Sequence, residues 1–312
     1  MPENKTFRAE GGEDRLDKFL AGKLRPLTRT YVQKLIAGGH VSVNGGPAKT
    51  SRRRLEAGDE VSVLLPEFSA LPASAAGSVP VLFEDGEIIV VDKPSGVVVH
   101  PAGPHQSDTL VQRLWPKLAA GWGEALRGTS LHTARPGVVH RLDKGTSGVL
   151  VIAKTPGAAE RLSRQFSERG VEKTYLALVR GSPKAASGVV RSTVGRDRRR
   201  PSRMSVTDPG RPAILEFKVL GRFPDDSLLE VRPLTGRTHQ IRVQLASVGH
   251  PVLGDSTYEG PPGDRPLLHA FRLAFDHPKT GRRMVVTAPL PADMREALIS
   301  RKFDAFPLDK LK

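Results

Sequence analysis

The feature that most constrains this chain is the stretch Arg135-Pro-Gly-Val-Val-His-Arg-Leu-Asp-Lys-Gly-Thr-Ser-Gly-Val-Leu-Val-Ile-Ala-Lys154. The run from Val149 to Ala153 is apolar at every position, as a strand buried on both faces requires. Gly145, Thr146, Ser147 and Gly148 form the turn that feeds it. Four polar side chains, His140, Arg141, Asp143 and Lys144, precede that turn. A core strand therefore begins beside a carboxylate set between two cations. Neighbouring positive charge favours the ionised form of an acid. A surface ion pair and an active-site acid both satisfy this spacing, and the rest of the chain decides between them.

The acid sits in a basic chain. The sequence has 48 Lys+Arg against 33 Asp+Glu, a formal net charge of +15. That excess favours a polyanionic partner, with nucleic acid as the first candidate. Cysteine is absent, which excludes disulfides, thiolate metal sites and a Cys nucleophile. There is no metalloprotease-type His pair, phosphate loop, dinucleotide fingerprint or nucleophile elbow around Ser147. His239, His250 and His269 are far apart in sequence and read as structural or phosphate-binding, not as metal ligands. Two Trp, three Tyr and eleven Phe give little material for a stacking surface of the single-strand-binder type. No apolar run reaches about 18 residues, and the N-terminus lacks an apolar leader segment. The expectation is a cytoplasmic protein with no membrane association.

The length allows two or three domains. Residues 1–13 read as a flexible N-terminus, and 14–66 as a small module of two helices and a short sheet. Leu16, Phe19 and Leu20 mark one helix face, and Val32, Leu35 and Ile36 a second. Thr28 is a candidate N-cap, and Gly38-Gly39 the stop. Val41-Ser42-Val43 leads into an Asn44-Gly45 hairpin turn. Arg25, Arg29, Lys34, Arg52, Arg53 and Arg54 can line one basic face for phosphate contacts; a merely solvated charged face is the competing reading. The order of Arg15-Leu-Asp-Lys, Gln33-Lys34-Leu35-Ile36 and His40-Val41-Ser42-Val43-Asn44-Gly45 resembles the small RNA-binding domain first known from a small-subunit ribosomal protein. Residues 67–80 are rich in Pro, Ala, Ser and Gly and read as a linker.

From 81 onward strands dominate. Val81–Glu84 and Ile88–Val91 flank Asp85-Gly86 as a hairpin. Thr109–Trp115 reads as a short helix, and 116–137 as an irregular loop. Helices are expected from Thr155 or Pro156 to Arg169, around Ile241 and Leu245, and over Pro291–Leu298. Strands are expected at Lys173–Val179, Ile214–Leu220, Leu228–Val231, Leu267–Ala270 and Met284–Thr287. The Arg-rich segment 191–211 reads as a basic loop suited to a phosphate backbone. His239 and Arg242 stand i, i+3 and are expected to point the same way. Few helices alternate with these strands, which argues against a doubly wound sheet. The expected class is α+β: a mixed, mostly antiparallel central sheet with flanking helices over 81–312, plus the small N-terminal α/β RNA-binding domain.

Val138-Val139-His140-Arg141-Leu142-Asp143-Lys144-Gly145-Thr146-Ser147-Gly148 resembles the signature of the RluA-type pseudouridine synthases. Val91-Asp92-Lys93-Pro94-Ser95-Gly96 with His100-Pro101 is similar to the family's first motif. Lys173–Val179 is similar to its Tyr-bearing strand, and Thr235–Val243 to its late motif. The resemblance implies isomerisation of uridine to pseudouridine in RNA, with no cofactor and no metal. It implies Asp143 as the catalytic aspartate, Tyr175 as the aromatic residue packed on the target base with a proton-transfer role, and Arg242 as the partner of the aspartate. Arg141 matches the residue that fills the space left by the flipped base. Ile241 contributes to the apolar wall, while His140, Lys144, His239 and Arg237 shape the site or contact phosphate. Lys144, adjacent in sequence to Asp143, yields to Arg242 as its partner. The N-terminal module points to the RluD- or RluC-like branch, acting on large-subunit ribosomal RNA; transfer RNA is the other substrate class. A monomer is expected. The family often has Asp where Gly145 stands, so a looser turn is expected here, and the 116–134 loop falls outside the motifs. Two other readings are a non-catalytic RNA-binding or ribosome-assembly factor and a metal-dependent RNA phosphoesterase. The intact set of Asp143, Tyr175 and Arg242 argues against the first, and the lack of a compact metal motif against the second.

Overall fold

The computed structural model describes residues 3–10, 15–24, 27, 29–65, 78–100, 108–123, 135–200 and 203–303. The chain divides into two compact units. One comprises Met1–Ser78, Val98–Val138 and Ile152–Glu160, the other Val79–Val97, Val139–Val151 and Arg161–Lys312. Arg25, Thr28, most of the expected linker and residues 124–134 of the expected loop lie outside the described residues.

The N-terminal part of the first unit holds β1 (Glu3–Arg8), α1 (Leu16–Lys23), α2 (Arg29–Ala37), β2 (Val41–Val43), β3 (Gly46–Pro47) and β4 (Glu60–Leu65), with sheet order β1-β4-β2-β3. Leu16, Leu20, Val32, Leu35, Ile36, Val61 and Val63 form its core. Asn44 and Gly45 both have positive φ, at 53° and 76°. That geometry belongs to the two-residue hairpin turn which Asn-Gly favours. Glu3–Arg8, expected within a flexible N-terminus, is instead a strand paired antiparallel along the whole of β4. Its polar sequence hid it. An edge strand is held mainly by backbone hydrogen bonds, and Phe7 packs on the core.

Asp17 organises the start of α1. Its carboxylate is fully buried. It accepts a bidentate pair from Arg15 at 3.1 and 2.9 Å, a bond from Arg29 at 3.1 Å and one from Gln33 at 2.6 Å. Burial pushes its pKa up, but the bonds from Arg29, Gln33 and Arg15 outweigh burial and bring it down to about 2. A carboxylate depressed in the folded state contributes stability above its unfolded pKa of about 3.9, and that stability is lost as pH falls toward about 2. In an acid titration followed by circular dichroism, Asp17→Asn should start less stable and lose less between pH ~4 and ~2 than the parent. An unchanged acid profile would remove Asp17 as a source of that sensitivity.

The large sheet contains β5 (Val81–Glu84), β6 (Ile88–Lys93), β7 (Ser147–Ala153), β8 (Glu172–Arg180), β9 (Ser187–Arg196), β10 (Met204–Val206), β11 (Arg211–Arg222), β12 (Asp226–Pro233), β13 (Leu268–Asp276) and β14 (Arg283–Thr287). Its order is β10-β9-β11-β12-β8-β13-β7-β6-β5, with β14 on β13. β7 runs parallel to β13, whereas β8, β9, β11, β12, β13 and β14 pair antiparallel. The other helices are α3 (Leu110–Trp122), α4 (Pro156–Ser167), α5 (Gln240–Ser247) and α6 (Ala292–Ile299). The architecture is the α+β arrangement the strand pattern predicts.

β7 is buried at all seven positions. Val149, Leu150, Val151 and Ile152 are each at most 2 % exposed, and burying such a side chain contributes roughly 1.5–3 kcal/mol. Gly148 at its start has φ +115°, and a Cβ there would lie 2.2 Å from the Ala270 carbonyl oxygen. The close approach to β13 therefore needs glycine. α3 is longer than expected and runs through Pro116. Proline removes one helical N–H. The helix persists because Leu110, Leu114, Leu118 and Trp122 are buried, and the Trp122 indole N–H donates to the Ala153 carbonyl at 2.9 Å. The Arg-rich segment 191–211 is only partly loop: residues 191–196 belong to β9 and 204–206 to β10, which pair with each other, and Arg198, Arg199 and Arg200 lie outside the strands. Alternating Val, Ser and Thr between arginines is strand chemistry that the charge density masked.

Candidate active site

Two backbone turns meet on one open cavity of about 840 Å³, whose lining includes Arg141, Asp143, Tyr175, His239, Ile241 and Arg242, and a third turn braces Arg242. His140 and Arg237 line it as well. Asp143 lies just before β7. The turn after it is clamped from the neighbouring 93–97 segment. The Lys144 carbonyl accepts from the Gly96 N–H at 2.8 Å, and the Gly145 carbonyl accepts from the Ser95 hydroxyl at 3.0 Å. Arg265 donates to the same Gly145 carbonyl at 3.3 Å. The looser turn expected from Gly145 is therefore not found. A Cβ at 145 would press on Pro266 at 2.9 Å, and neighbouring donors supply the restraint. The Lys144 side chain is exposed and absent from the cavity lining.

The second turn, Thr235–His239, leads into α5. The buried Gln240 side chain fixes it. Its carbonyl oxygen accepts from the Thr235 hydroxyl at 2.8 Å and the Arg237 N–H at 3.0 Å, and its amide donates to the Ile214 carbonyl at 2.9 Å. His239 is not on the helix, as its spacing from Arg242 suggested, but caps it in the left-handed region with φ 54°. A non-glycine residue there costs of order 1–3 kcal/mol and marks sites where geometry matters. His239 and Arg242 nevertheless both reach Asp143, with His239 Nε2 4.0 Å from Oδ1 and Arg242 Nη1 3.4 Å from Oδ2.

The third turn supplies a residue to which the motif reading assigned no role. Asp255, only 1 % exposed, binds Arg242 in a fork: Nε donates to Oδ2 at 2.6 Å and Nη2 to Oδ1 at 2.7 Å. Asp255 also caps the short helical turn Ser256–Tyr258 by accepting from the Thr257 N–H at 3.2 Å. Arg242 is itself buried. Desolvation lowers its pKa, and the carboxylates of Asp255 and Asp143 more than offset this, so it rises overall. The available signal was physical: a buried guanidinium has five donors, more than one partly exposed carboxylate satisfies.

The remaining side chains fall into place around this pair. Tyr175 on β8 has its pKa raised, first by burial and then by the charge of Asp143, so the phenol stays protonated. Ile241 packs in the same apolar cluster as Tyr175. His140 stacks on Phe166 with ring centroids 4.5 Å apart, and its Nε2 accepts from the Val151 N–H at 3.1 Å. Burial, with Lys173 nearby, drives its pKa to about 3. A neutral ring fits the site-shaping role and not the phosphate-contacting one. Arg141 is exposed. Arg237 donates from Nε to the Pro212 carbonyl at 3.1 Å. Among the described residues, no group of three or more His, Asp or Glu is placed to hold a metal ion.

In the first unit, Arg29, Lys34, Arg52, Arg53 and Arg54 are exposed. Asp17 holds Arg29, and the carbonyls of Ser51 and Arg53 accept from the first N–H groups of α1.

Residues 87–247 match the RNA pseudouridylate synthase family, and residues 14–61 match the S4 domain. The chain belongs to the RNA pseudouridine synthase family. It is 40 % identical over 298 residues to an uncharacterized RNA pseudouridine synthase of Bacillus subtilis (strain 168), covering 94 % of this chain and 96 % of that protein. It is 37 % identical over 300 residues to ribosomal large subunit pseudouridine synthase D of Nitrosomonas europaea, covering 91 % of this chain and 83 % of that one. Among solved structures, human RNA pseudouridylate synthase domain containing 1 superposes with a TM-score of 0.55 at 26 % identity, over 75 % of this chain and 99 % of that one. Human RNA pseudouridylate synthase domain containing 4 shares the fold, with a TM-score of 0.57 at 22 % identity over 72 % and 93 % of the two chains. The synthase isomerises uridine in RNA and carries an RNA-binding S4 domain at its N-terminus. Among the described residues, no helix is long and apolar enough to cross a membrane.

Proposed function

We propose that the synthase acts on large-subunit ribosomal RNA and that Asp143 is its catalytic carboxylate. The observation that supports this most is the placement of Asp143 on the cavity wall, with one oxygen toward Arg242 and the other toward His239. Moving uracil from an N-glycosidic to a C-glycosidic bond needs one carboxylate, which either attacks the sugar or takes a proton from it. It also needs a pocket that holds the detached base while it turns. Tyr175 and Ile241 bound that base. The phenol is protonated, so a proton relay at Tyr175 passes through the hydroxyl. A base in folded RNA must leave its stack to reach such a cavity, and Arg141 fills the space it vacates. Residues 14–66 bring the RNA and 81–312 carry the chemistry, with Arg25, Arg29, Lys34 and Arg52–Arg54 as phosphate contacts.

The ribosomal target rests on two supports: the S4 domain and the likeness to ribosomal large subunit pseudouridine synthase D. The purified chain, given large-subunit ribosomal RNA and transfer RNA separately, should form pseudouridine at discrete positions of the ribosomal RNA. Arg141→Ala should lose more turnover on the folded RNA than on a short single strand. Modification confined to transfer RNA would overturn the substrate assignment.

A further inference from the structure

Tyr258 is 1 % exposed and sits behind the residues that face Asp143. The guanidinium carbons of Arg242 and Arg203 lie over its ring, 5.1 and 4.9 Å from the centroid. Its hydroxyl has two partners among the described residues: the Met204 N–H at 3.1 Å and His239 Nδ1 at 2.9 Å. A phenol has one hydrogen to give and lone pairs to receive. Met204 takes a lone pair. Among the described residues His239 Nδ1 is then the acceptor in reach, so the hydroxyl hydrogen goes to it. A nitrogen that accepts carries no proton, and in a neutral imidazole the proton must be on the other nitrogen. Burial lowers the pKa of the imidazole, an effect that the charges of Asp143 and Asp255 oppose and those of Arg242 and Arg141 reinforce, and the net lowering favours the neutral ring.

We propose that Tyr258 is a positioning residue: its hydroxyl fixes His239 in the tautomer protonated at Nε2 and aims that N–H at Oδ1 of Asp143. This rests on Asp143 being the catalytic carboxylate. Each oxygen of Asp143 then faces one donor, Arg242 Nη1 at 3.4 Å and His239 Nε2 at 4.0 Å. Such contacts are often long without substrate and tighten on binding. The opposite tautomer would turn a nitrogen lone pair toward a carboxylate oxygen and push the acid out of line. Tyr258 also ties this geometry to Met204, the residue after Arg203 on the arginine-rich hairpin.

The test uses the full chain. Nitrogen-15 NMR of the free protein, with the His239 signals assigned by their loss in His239→Ala, should show the proton on Nε2. In Tyr258→Phe, which keeps the ring and removes the hydroxyl, the population should shift toward Nδ1. The same variant should lower kcat about tenfold, the lower end for loss of an outer partner, with KM for RNA unchanged. In a His239→Ala background, Tyr258→Phe should cost nothing more in kcat; a full additional penalty would mean that it acts elsewhere. A wild-type proton on Nδ1, or a tautomer indifferent to Tyr258→Phe, overturns the proposal. Turnover surviving Asp143→Asn would overturn the catalytic assignment instead, and the NMR readout is independent of that result.

Discussion

Asp143→Asn should abolish pseudouridine formation, by at least about 10⁴-fold, while RNA binding and folding persist. The substitution keeps the side chain's shape and removes its charge and basicity. It should be tolerated structurally because Arg242 does not depend on Asp143 for its burial. The guanidinium fork is held by Asp255, with Asp143 reached only by the third nitrogen at 3.4 Å. Asp143 is also partly exposed, its side chain at 18 %, so water can satisfy the new amide. The loss should therefore appear in single-turnover rates, with the RNA dissociation constant and the melting temperature close to the parent's. Product from the Asn variant at more than a trace would end the assignment of Asp143.

Asp255→Ala should have the largest effect on the enzyme as a whole, costing about 3–5 kcal/mol of stability together with most of the turnover. The reason is asymmetry. Making a buried ion pair gains little net free energy, but removing one partner strands the other charge in a desolvated place. Here the stranded group is Arg242, which would keep the long contact to Asp143 and its place over the Tyr258 ring but lose its carboxylate fork. The Thr257 N–H would lose its acceptor as well. Urea denaturation measures the first effect and kcat the second. The double substitution Arg242→Met with Asp255→Leu separates them. An apolar pair of similar size should recover most of the stability and none of the turnover. A cost below about 1 kcal/mol for Asp255→Ala would show that Arg242 is not held as described.

These two expectations divide one buried cluster into chemistry and support. Asp143 faces the cavity and can lose its charge without collapse. Asp255 faces protein and cannot. Both are aspartates next to the same arginine, and only their surroundings distinguish them.

The legibility of the fold followed the strength of local patterns. Val149–Ala153 could be read because every position is apolar, and the Asn44-Gly45 hairpin because two positive-φ residues in a row are a strong local preference. β1 and β9 were not read. Their strand character depends on pairing with β4, β10 and β11, and the polar and charged residues among their own mask it. The C-terminal half of α3 was hidden by Pro116, whose penalty is local while the compensating burial of Leu118 and Trp122 is not.

The same division holds at the site. Sequence by itself singled out the candidate acid from its setting between cations at a core strand, and the resemblance to the RluA-type synthases added the arginine about a hundred residues away and the tyrosine. Sequence also determined the basic charge that favours a polyanionic partner, nucleic acid first among them. Only the tertiary structure decided the roles of Asp255 and Tyr258, the neutrality of His140, the left-handed backbone at His239 and the exposure of Lys144. Those properties belong to contacts across turns far apart in the chain. Burial, hydrogen-bond direction and the sign of a pKa shift are set by what lies opposite in space, and no spacing along one strand or helix encodes it.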